Sequence, residues 1–586
     1  MDKLKALRAL MKERGLDAYL IPSGDAHASE YVADYWNARS WFSGFTGSSG
    51  LVVVTHTEAG LWTDGRYFIQ AENQLSGSEI KLFKMATPGV PEYKDYLADA
   101  LPQHGKLGFD GRVVDTQEFE ELREALKAKE ITYAYSEDLV GLIWEDRPAM
   151  PTAPAFEHTP RIPCATTSEK LTAVRAEMAK HDVSAYLISA LDDVAWLMNI
   201  RGRDMAHTPI AYAYAVITAS EAHLFIDPGK VSVFAGKLEA QGVTLHDYDG
   251  AAGFMGKLEG KLLINPRKTS MLLVESLPKG LQVKKDLPED AIQLLKAIKS
   301  TAELENTRNA YIKESVALVR FLKWLEECPD VSAITEEDVV RKLTSLRELM
   351  PDFLEDSFST IAAYGANAAQ AHYRPGTETV YLKPEGFLLI DTGGQYMDGT
   401  TDTTRTIRLG PITDEMKRNF TLVLKGHIAI SKVKFAEKTT GIMLDSLARV
   451  ALWEHGLDFR HGTGHGIGFC LGVHEGPQGI SRKSTVELVP GMLLSNEPAF
   501  YVDGEYGIRT ENIIEVVKRC ETEYGAFYGF ESLLYCPIDM SSVDVALLDA
   551  GEIEYLNEYH KRTYDLVAPH LTADEAAWLK KATMSV

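Results

Sequence analysis

The chain has 586 residues, 45% apolar and 25% charged, with 61 basic against 84 acidic side chains and a formal charge of −23. Such a composition belongs to a globular chain of several domains and excludes a disordered or fibrous one. The acidic balance argues against a nucleic-acid partner, which calls for a basic footprint.

In chain order, the N-terminus MDKLKALRALMKERG is interrupted by charges every few residues and lacks the apolar region of a signal peptide. Leu4, Leu7 and Met11 fall at helical spacing and predict an amphipathic first helix. No run approaches the roughly 20 apolar residues of a bilayer span, so no membrane partner is expected. Five scattered cysteines, Cys164, Cys328, Cys470, Cys520 and Cys536, form no CxxC pair. They fit reduced thiols and a cytoplasmic location. Cys470 lies near a histidine cluster but has no obvious base beside it, and packing is its expected role.

An internal repeat follows. RALMKERGLDAYLIPSGD (Arg8 to Asp25) returns as RAEMAKHDVSAYLISALDD (Arg175 to Asp193), with Tyr19, Leu20 and Ile21 falling on Tyr186, Leu187 and Ile188. Each copy reads as an amphipathic helix and a buried strand. Leu61-Trp62-Thr63-Asp64 has its counterpart in Leu224-Phe225-Ile226-Asp227. Two successive α/β domains are expected. Between them, four prolines from Pro151 to Pro163 mark a boundary, and a second falls near Pro288. The expected domains are 1–155, 156–288 and 289–586. The third opens with a long helical stretch, broken near Ser300, on which Leu318, Phe321, Leu322 and Leu325 recur at helical spacing.

The chemistry-bearing segments lie in this third part. FLLIDTGGQYMDGTTDTTRTI (Phe387 to Ile407) reads as a β-hairpin. A four-residue loop between Gly394 and Gly399 sets Asp391 directly opposite Asp402, and two carboxylates so placed call for a cation between them. RHGTGHGIGFCLGVHEGP (Arg460 to Pro477) holds His461, His465 and His474 among glycines that exclude an ordinary helix. LLSNEPAFY and YGIRTENIIEV read as a second hairpin with Glu497 on one strand and Glu511 on the other. Arg509 shares a face with Glu511 and is placed to orient a carboxylate. Two Asp, two Glu and at least one His make an oxygen-rich donor set. It suits manganese, cobalt or iron, and two ions bridged by carboxylates better than one zinc.

Taken together, DTGGQYMDGTTDTTRTI, HGTGHGIG, VHEGP, SNEP and GIRTEN resemble the pita-bread metallopeptidases, and most closely the three-domain, cytosolic Xaa-Pro aminopeptidases. The resemblance implies an α/β (α+β) fold class: two creatinase-like α/β domains, then a pita-bread catalytic domain with a C-terminal extension. It implies metal ligands Asp391, Asp402, His465, Glu497 and Glu511 holding two divalent ions, usually Mn2+, with Co2+ or Zn2+ as substitutes. Asp402 and Glu511 would bridge the ions, Asp391 would complete one, and His465 with Glu497 the other. Catalytic roles fall to His372, in GANAAQAHYRP, and to His474 and Glu497. Substrate contacts fall to His372, His461, His474 and Arg509. The implied reaction is removal of the first residue of a peptide whose second residue is proline, by a hydroxide bridging the two ions, in a homodimer. Ala499 and Thr510 depart from the family pattern without touching a ligand position. A prolidase acting on Xaa-Pro dipeptides is the nearest alternative. A non-enzymatic pita-bread binding module is a further one, disfavoured because such modules lose ligands.

Overall fold

The structure, a computed structural model, describes residues 2–285, 290–376 and 378–586. The expected boundary near Pro288 lies outside the described residues. The chain divides into two compact units. One holds the residues up to Glu157, Ala165–Ala206 and Ile210–Ile292; the other holds His158–Cys164, His207–Pro209 and Gln293–Val586.

The first unit contains the repeat. Helix α1 (Lys3–Arg14) starts at Asp2, whose side chain caps the Lys5 amide, and it buries Leu4, Leu7 and Met11 as their spacing predicts. Strands β1 (Ala18–Pro22), β2 (Leu51–Thr55), β3 (Ala59–Thr63), β4 (Lys81–Lys84), β5 (Lys106–Phe109) and β6 (Thr132–Ala134) form a sheet of order β4-β3-β2-β1-β5-β6. The second copy has β7 (Ala185–Ile188), β8 (Ala213–Thr218), β9 (Ala222–Ile226), β10 (Val243–His246), β11 (Lys261–Ile264) and β12 (Gln282–Lys285), in the order β10-β9-β8-β7-β11-β12. Position for position the two sheets share order and strand direction: β1 and β7 each run antiparallel to one neighbour and parallel to the other. The repeated sequence is therefore a repeated architecture.

The second unit opens with α2 (Ala291–Ala297) and α3 (Thr301–Glu326). Their break at Ser300 is a capping box closed by Glu303. The apolar stripe of α3, Leu318, Phe321 and Leu325, packs on Leu388, Ile390, Ile467, Leu493 and Ile513, so one helix supports the strands of all three motif segments. Strands β13 (Ile361–Tyr364), β14 (Phe387–Thr392), β15 (Gly394–Tyr396), β16 (Gly399–Thr400) and β17 (Thr403–Arg408) make the first hairpin and its neighbour. Helix α4 (Asp414–Lys432) follows, then β18 (Gly464–Gly466), β19 (Glu475–Ile480), β20 (Leu493–Asn496), β21 (Ala499–Val502), β22 (Tyr506–Arg509), β23 (Asn512–Thr522), β24 (Gly525–Ser532) and α5 (Ala550–Val567). A six-stranded sheet runs Phe435–Ala436, β24, β23, β20, β18, β19.

The first hairpin corrects the expected register. Phe387 pairs with Arg408, Asp391 with Thr404, and Tyr396 with Gly399, so the loop is two residues, Met397 and Asp398, and not four. Asp391 faces Thr404 rather than Asp402. A shift of two keeps both acids on their predicted face, so they remain diagonal neighbours. The shorter loop is held by its own acid: the buried Asp398 accepts from Lys313 Nζ (2.7 Å), from Asn309, and from the amide of Arg161 (2.9 Å). Beneath the hairpin, Glu314 of α3 and Arg347 form a fully buried ion pair. Arg347 also donates to Thr392 (2.7 Å), and Glu314 accepts from Tyr396 (3.0 Å) and Thr401 (3.1 Å).

Two buried histidines give the fold a pH signature. His560 of α5 accepts the Ile538 amide at Nε2 (3.2 Å) and must be neutral there. Burial and then the charge of Arg405 hold His560 down at about 4 and His427 of α4 at about 3, against an ordinary value of 6.5. The unfolded chain takes up these protons first. Their contribution is thus complete above pH 6.5 and declines as pH falls toward 4, by at most about 1.4 kcal/mol per pH unit for each histidine. Urea midpoints measured from pH 7 to 4.5 are expected to fall, and to fall less steeply in His560→Gln; equal slopes would show that His560 is not buried neutral.

Candidate metal centre

The predicted acids sit at or beside the ends of paired strand segments. Asp391 lies at the end of β14, and Asp402 falls between β16 and β17. In the second hairpin β20 pairs with β23 and β21 with β22 in one continuous register. That register sets Glu497 across from Glu511, both in the interruption between the paired segments. Their freed amides turn elsewhere. Glu497 N–H donates to Thr463 O (2.8 Å) and Glu511 N–H to Thr404 O (3.1 Å), which ties the second hairpin to the first.

The side chains converge. Ligand-type atoms of Asp402, His465 and Glu511 all lie within 4.8 Å of one another. His465 Nδ1 is 2.9 Å from the Gly466 carbonyl and donates to it. This leaves Nε2 at 3.4 Å from Asp402 Oδ2 and 3.5 Å from Glu497 Oε1. Ser495 accepts the His465 amide (2.9 Å) and donates to Glu497 (3.1 Å). Thr404 donates to Glu511 (2.7 Å) and accepts from Arg509 Nε (3.2 Å). Arg509 is buried and donates to Asp391. The face-sharing argument thus finds its carboxylate in Asp391, across the site, and a surface salt bridge is excluded. Arg509 also reaches the Tyr501 hydroxyl (2.5 Å), which lies 2.9 Å from His461 Nε2.

The electrostatics are those of crowded like charges. Burial first, and then Asp402, Glu497 and Asp391, push Glu511 well above the carboxylate range. Burial also raises Asp391, against the opposing charge of Arg509. Glu497 is pushed up to about 6 by burial, partly offset by His465 and Arg509. Burial alone would lower His465, but the hydrogen bond to Asp402 and the charges of Glu497 and Asp402 outweigh it and hold the imidazole at about 9. Asp391 Oδ1 is buried with no hydrogen-bond partner. Four acids, one imidazole and an orphaned acceptor fit divalent cations of hard or borderline character.

The remaining predicted residues surround this cluster. The His474 ring meets the His465 ring edge to face, with centroids 4.3 Å apart. His461 is linked to Asp391 through Tyr501 and Arg509. His372, half-buried, follows the short 3-10 segment Gly365–Ala369. That segment lies so close to β22 that a Cβ on Gly507 would stand 1.9 Å from the Ala368 carbonyl. Cys470 is fully buried, in keeping with packing. Thr404, Ser495 and Tyr501 were not anticipated. The signal was present for two of them: Ser495 stands two residues before Glu497, and Thr404 two after Asp402, each on its acid's face.

Comparison with known proteins fits this geometry. Residues 305–518 match metallopeptidase family M24, and 526–586 its C-terminal region. Residues 3–140 and 146–303 each match a creatinase/prolidase N-terminal domain. The class is therefore an M24 metallopeptidase with a doubled N-terminal domain. Aminopeptidase P2 of Arabidopsis thaliana is 39% identical over 97% of this chain and 86% of its own length. Xaa-Pro aminopeptidase 1 of Dictyostelium discoideum is 36% identical over 97% and 93%. The X-prolyl aminopeptidase of Caenorhabditis elegans, a cytosolic enzyme with a di-nuclear active site, superposes with a TM-score of 0.94 at 37% identity over 100% of this chain and 99% of that one. The chain belongs to the Xaa-Pro aminopeptidase family. A prolidase from Pyrococcus horikoshii, 24% identical with a TM-score of 0.52, covers 63% of this chain and 99% of its own and shares the fold alone.

Arg509 is the one cation donating to Asp391 among the described hydrogen bonds. Removing it from a buried carboxylate is expected to cost about 3 kcal/mol in metal-free protein. Arg509→Met should lower the urea midpoint accordingly. Arg509→Lys should recover only part, since one ammonium cannot serve Asp391, Thr404 and Tyr501 together. An unchanged midpoint in Arg509→Met would show that Asp391 is balanced by something else.

Proposed function

We propose that this chain removes the N-terminal residue from peptides whose second residue is proline, using two divalent metal ions held by Asp391, Asp402, His465, Glu497 and Glu511. The observation that carries the reading is the convergence of four acids, at or beside the ends of paired segments of two hairpins, with His465 of β18, in a chain that matches Xaa-Pro aminopeptidases along its whole length. In this reading Asp402 and Glu511 would be shared between the ions, Asp391 would serve one, and His465 with Glu497 the other. Manganese is the favoured metal, with cobalt or zinc as substitutes. Such ions supply Lewis acidity and make water nucleophilic near neutral pH.

The chain's own residues do the rest. Arg509 fixes Asp391, Thr404 fixes Glu511, and Ser495 fixes Glu497. Glu497, held by Ser495 beside His465, is placed to pass a proton to the leaving proline nitrogen. His372 and His474 stabilise the negative charge that develops on the scissile carbonyl oxygen, and His461 and Arg509 complete the substrate site. The Xaa-Pro bond is a tertiary amide without an N–H, so selection rests on a pocket shaped to the ring and on the free amine of the first residue.

The domain limits 1–155, 156–288 and 289–586, a cytoplasmic location and a homodimer belong to the same proposal. Among the described residues no helix is long and apolar enough to cross a membrane. The dimer finds support in Ile442, Met443, Val450 and Trp453, large apolar side chains exposed along the short helical run 441–453. Trp453→Glu is expected to shift the sedimenting species from twice the chain mass to once; an unchanged dimer places the interface elsewhere.

Three peptides test the reaction: Xaa-Pro-Yaa, Xaa-Ala-Yaa and the dipeptide Xaa-Pro. The first should be preferred. Turnover of the dipeptide alone would make the enzyme a prolidase, and equal cleavage of the alanine peptide would remove the proline specificity. A chelator should abolish activity and Mn2+ or Co2+ restore it, with Asp402→Asn near background. His372→Ala and His474→Ala should each lose about 10²-fold or more in kcat while keeping their metal.

A further inference from the structure

We propose that Lys299 is a positioning residue of this reaction, acting through Glu475 to aim His474. The inference rests on the role given to His474 above, and it starts from a buried ion cluster outside the metal centre. Glu475, the third residue of VHEGP, is 3% exposed. It pairs with Lys299, and Lys296 Nζ stands 3.8 Å from the same carboxylate. Both lysines are buried too. Charges in such a place are tolerated only when paired, so the position of Glu475 is strongly dictated.

Glu475 begins β19, and neighbouring residues of an extended chain point to opposite sides. With Glu475 drawn inward to the lysines, His474 is turned outward, where it is exposed and its ring meets that of His465. The backbone enforces the meeting. Gly466, next to His465, pairs with Glu475 across a β-bulge, and a Cβ on Gly466 would lie 2.1 Å from the Glu475 carbonyl. Lys299 itself is fixed. Its amide donates to Gly491 O (3.0 Å), its Nζ donates to Lys296 O (2.8 Å), and Ile298 bridges to Met492 at the entry to β20, the strand that leads to Glu497. The other end of the histidine loop is held independently: Gln395 and Thr400 donate to Leu471 O at 2.6 and 3.0 Å. His474 therefore stands between two anchors, and the lysine is the one that sets its direction.

The test is a double-mutant cycle on the metal-loaded enzyme with Xaa-Pro-Yaa as substrate. Lys299→Met is expected to lose about tenfold or more in kcat, with metal content unchanged. Lys299→Arg, which keeps the charge, should restore most of it. In His474→Ala the further change Lys299→Met should cost no more than about twofold, because the group it aims is gone. If Lys299→Met unfolds on heating before it can be assayed, the isosteric Glu475→Gln takes its place in the same cycle. Wild-type kcat in Lys299→Met beside a slowed His474→Ala overturns this inference alone, and so do losses that multiply in the double variant. Wild-type kcat in His474→Ala overturns the reading of His474, and this inference with it.

Discussion

Everything in the second unit follows from the cost of placing four carboxylates in one buried space. Water would separate them, and neutral packing would leave them protonated. The chain surrounds them instead with groups that hold each acid by a named atom: Arg509 on Asp391, Thr404 on Glu511, Ser495 on Glu497 and His465 on Asp402. Burial and mutual repulsion still act on them, and together raise Glu511 and Asp391. Cations bound among the acids would relieve what remains.

The same constraint explains the backbone. A regular ladder would commit the inward-facing amides of each strand to its neighbour across the hairpin. By interrupting pairing at the acids, the chain frees the amides of Glu497 and Glu511 to bond to Thr463 and Thr404, and two hairpins become one wall. The large core beneath, built on α3, supplies rigidity. The Glu314–Arg347 pair carries that rigidity into the hairpin through Thr392 and Thr401.

Much of this was legible in the sequence because the signals were local. The spacing of Leu4, Leu7 and Met11, the capping Ser300 and the repeated AYLI strand each act over a few residues. The identity of the five convergent side chains came from motifs with fixed order, and their faces came from strand alternation. What was not legible depended on contacts distant in sequence. The hairpin register was set two residues off because Asp398 is held by Lys313 and Asn309, more than 80 residues before it. The partner of Arg509 was sought two residues away and lies on another hairpin. The lysines that bury Glu475 carry no motif at all; only the fold brings α2 and its end against VHEGP.

The short stretch His158–Cys164 shows how far the two halves of the sequence are from being separable modules. It follows the first repeat in the chain but folds with the second unit. Its Arg161 amide closes the turn at Asp398, and Ile162 exchanges two hydrogen bonds with Asn306. A fragment begun at residue 289 would keep Asp391, Asp402, Glu497 and Glu511, yet it would expose the turn between Asp391 and Asp402 and leave Asn306 facing solvent. The catalytic half is thus sealed by a piece of chain made long before it, and gene truncation at the apparent domain border would produce an incomplete body rather than a smaller enzyme.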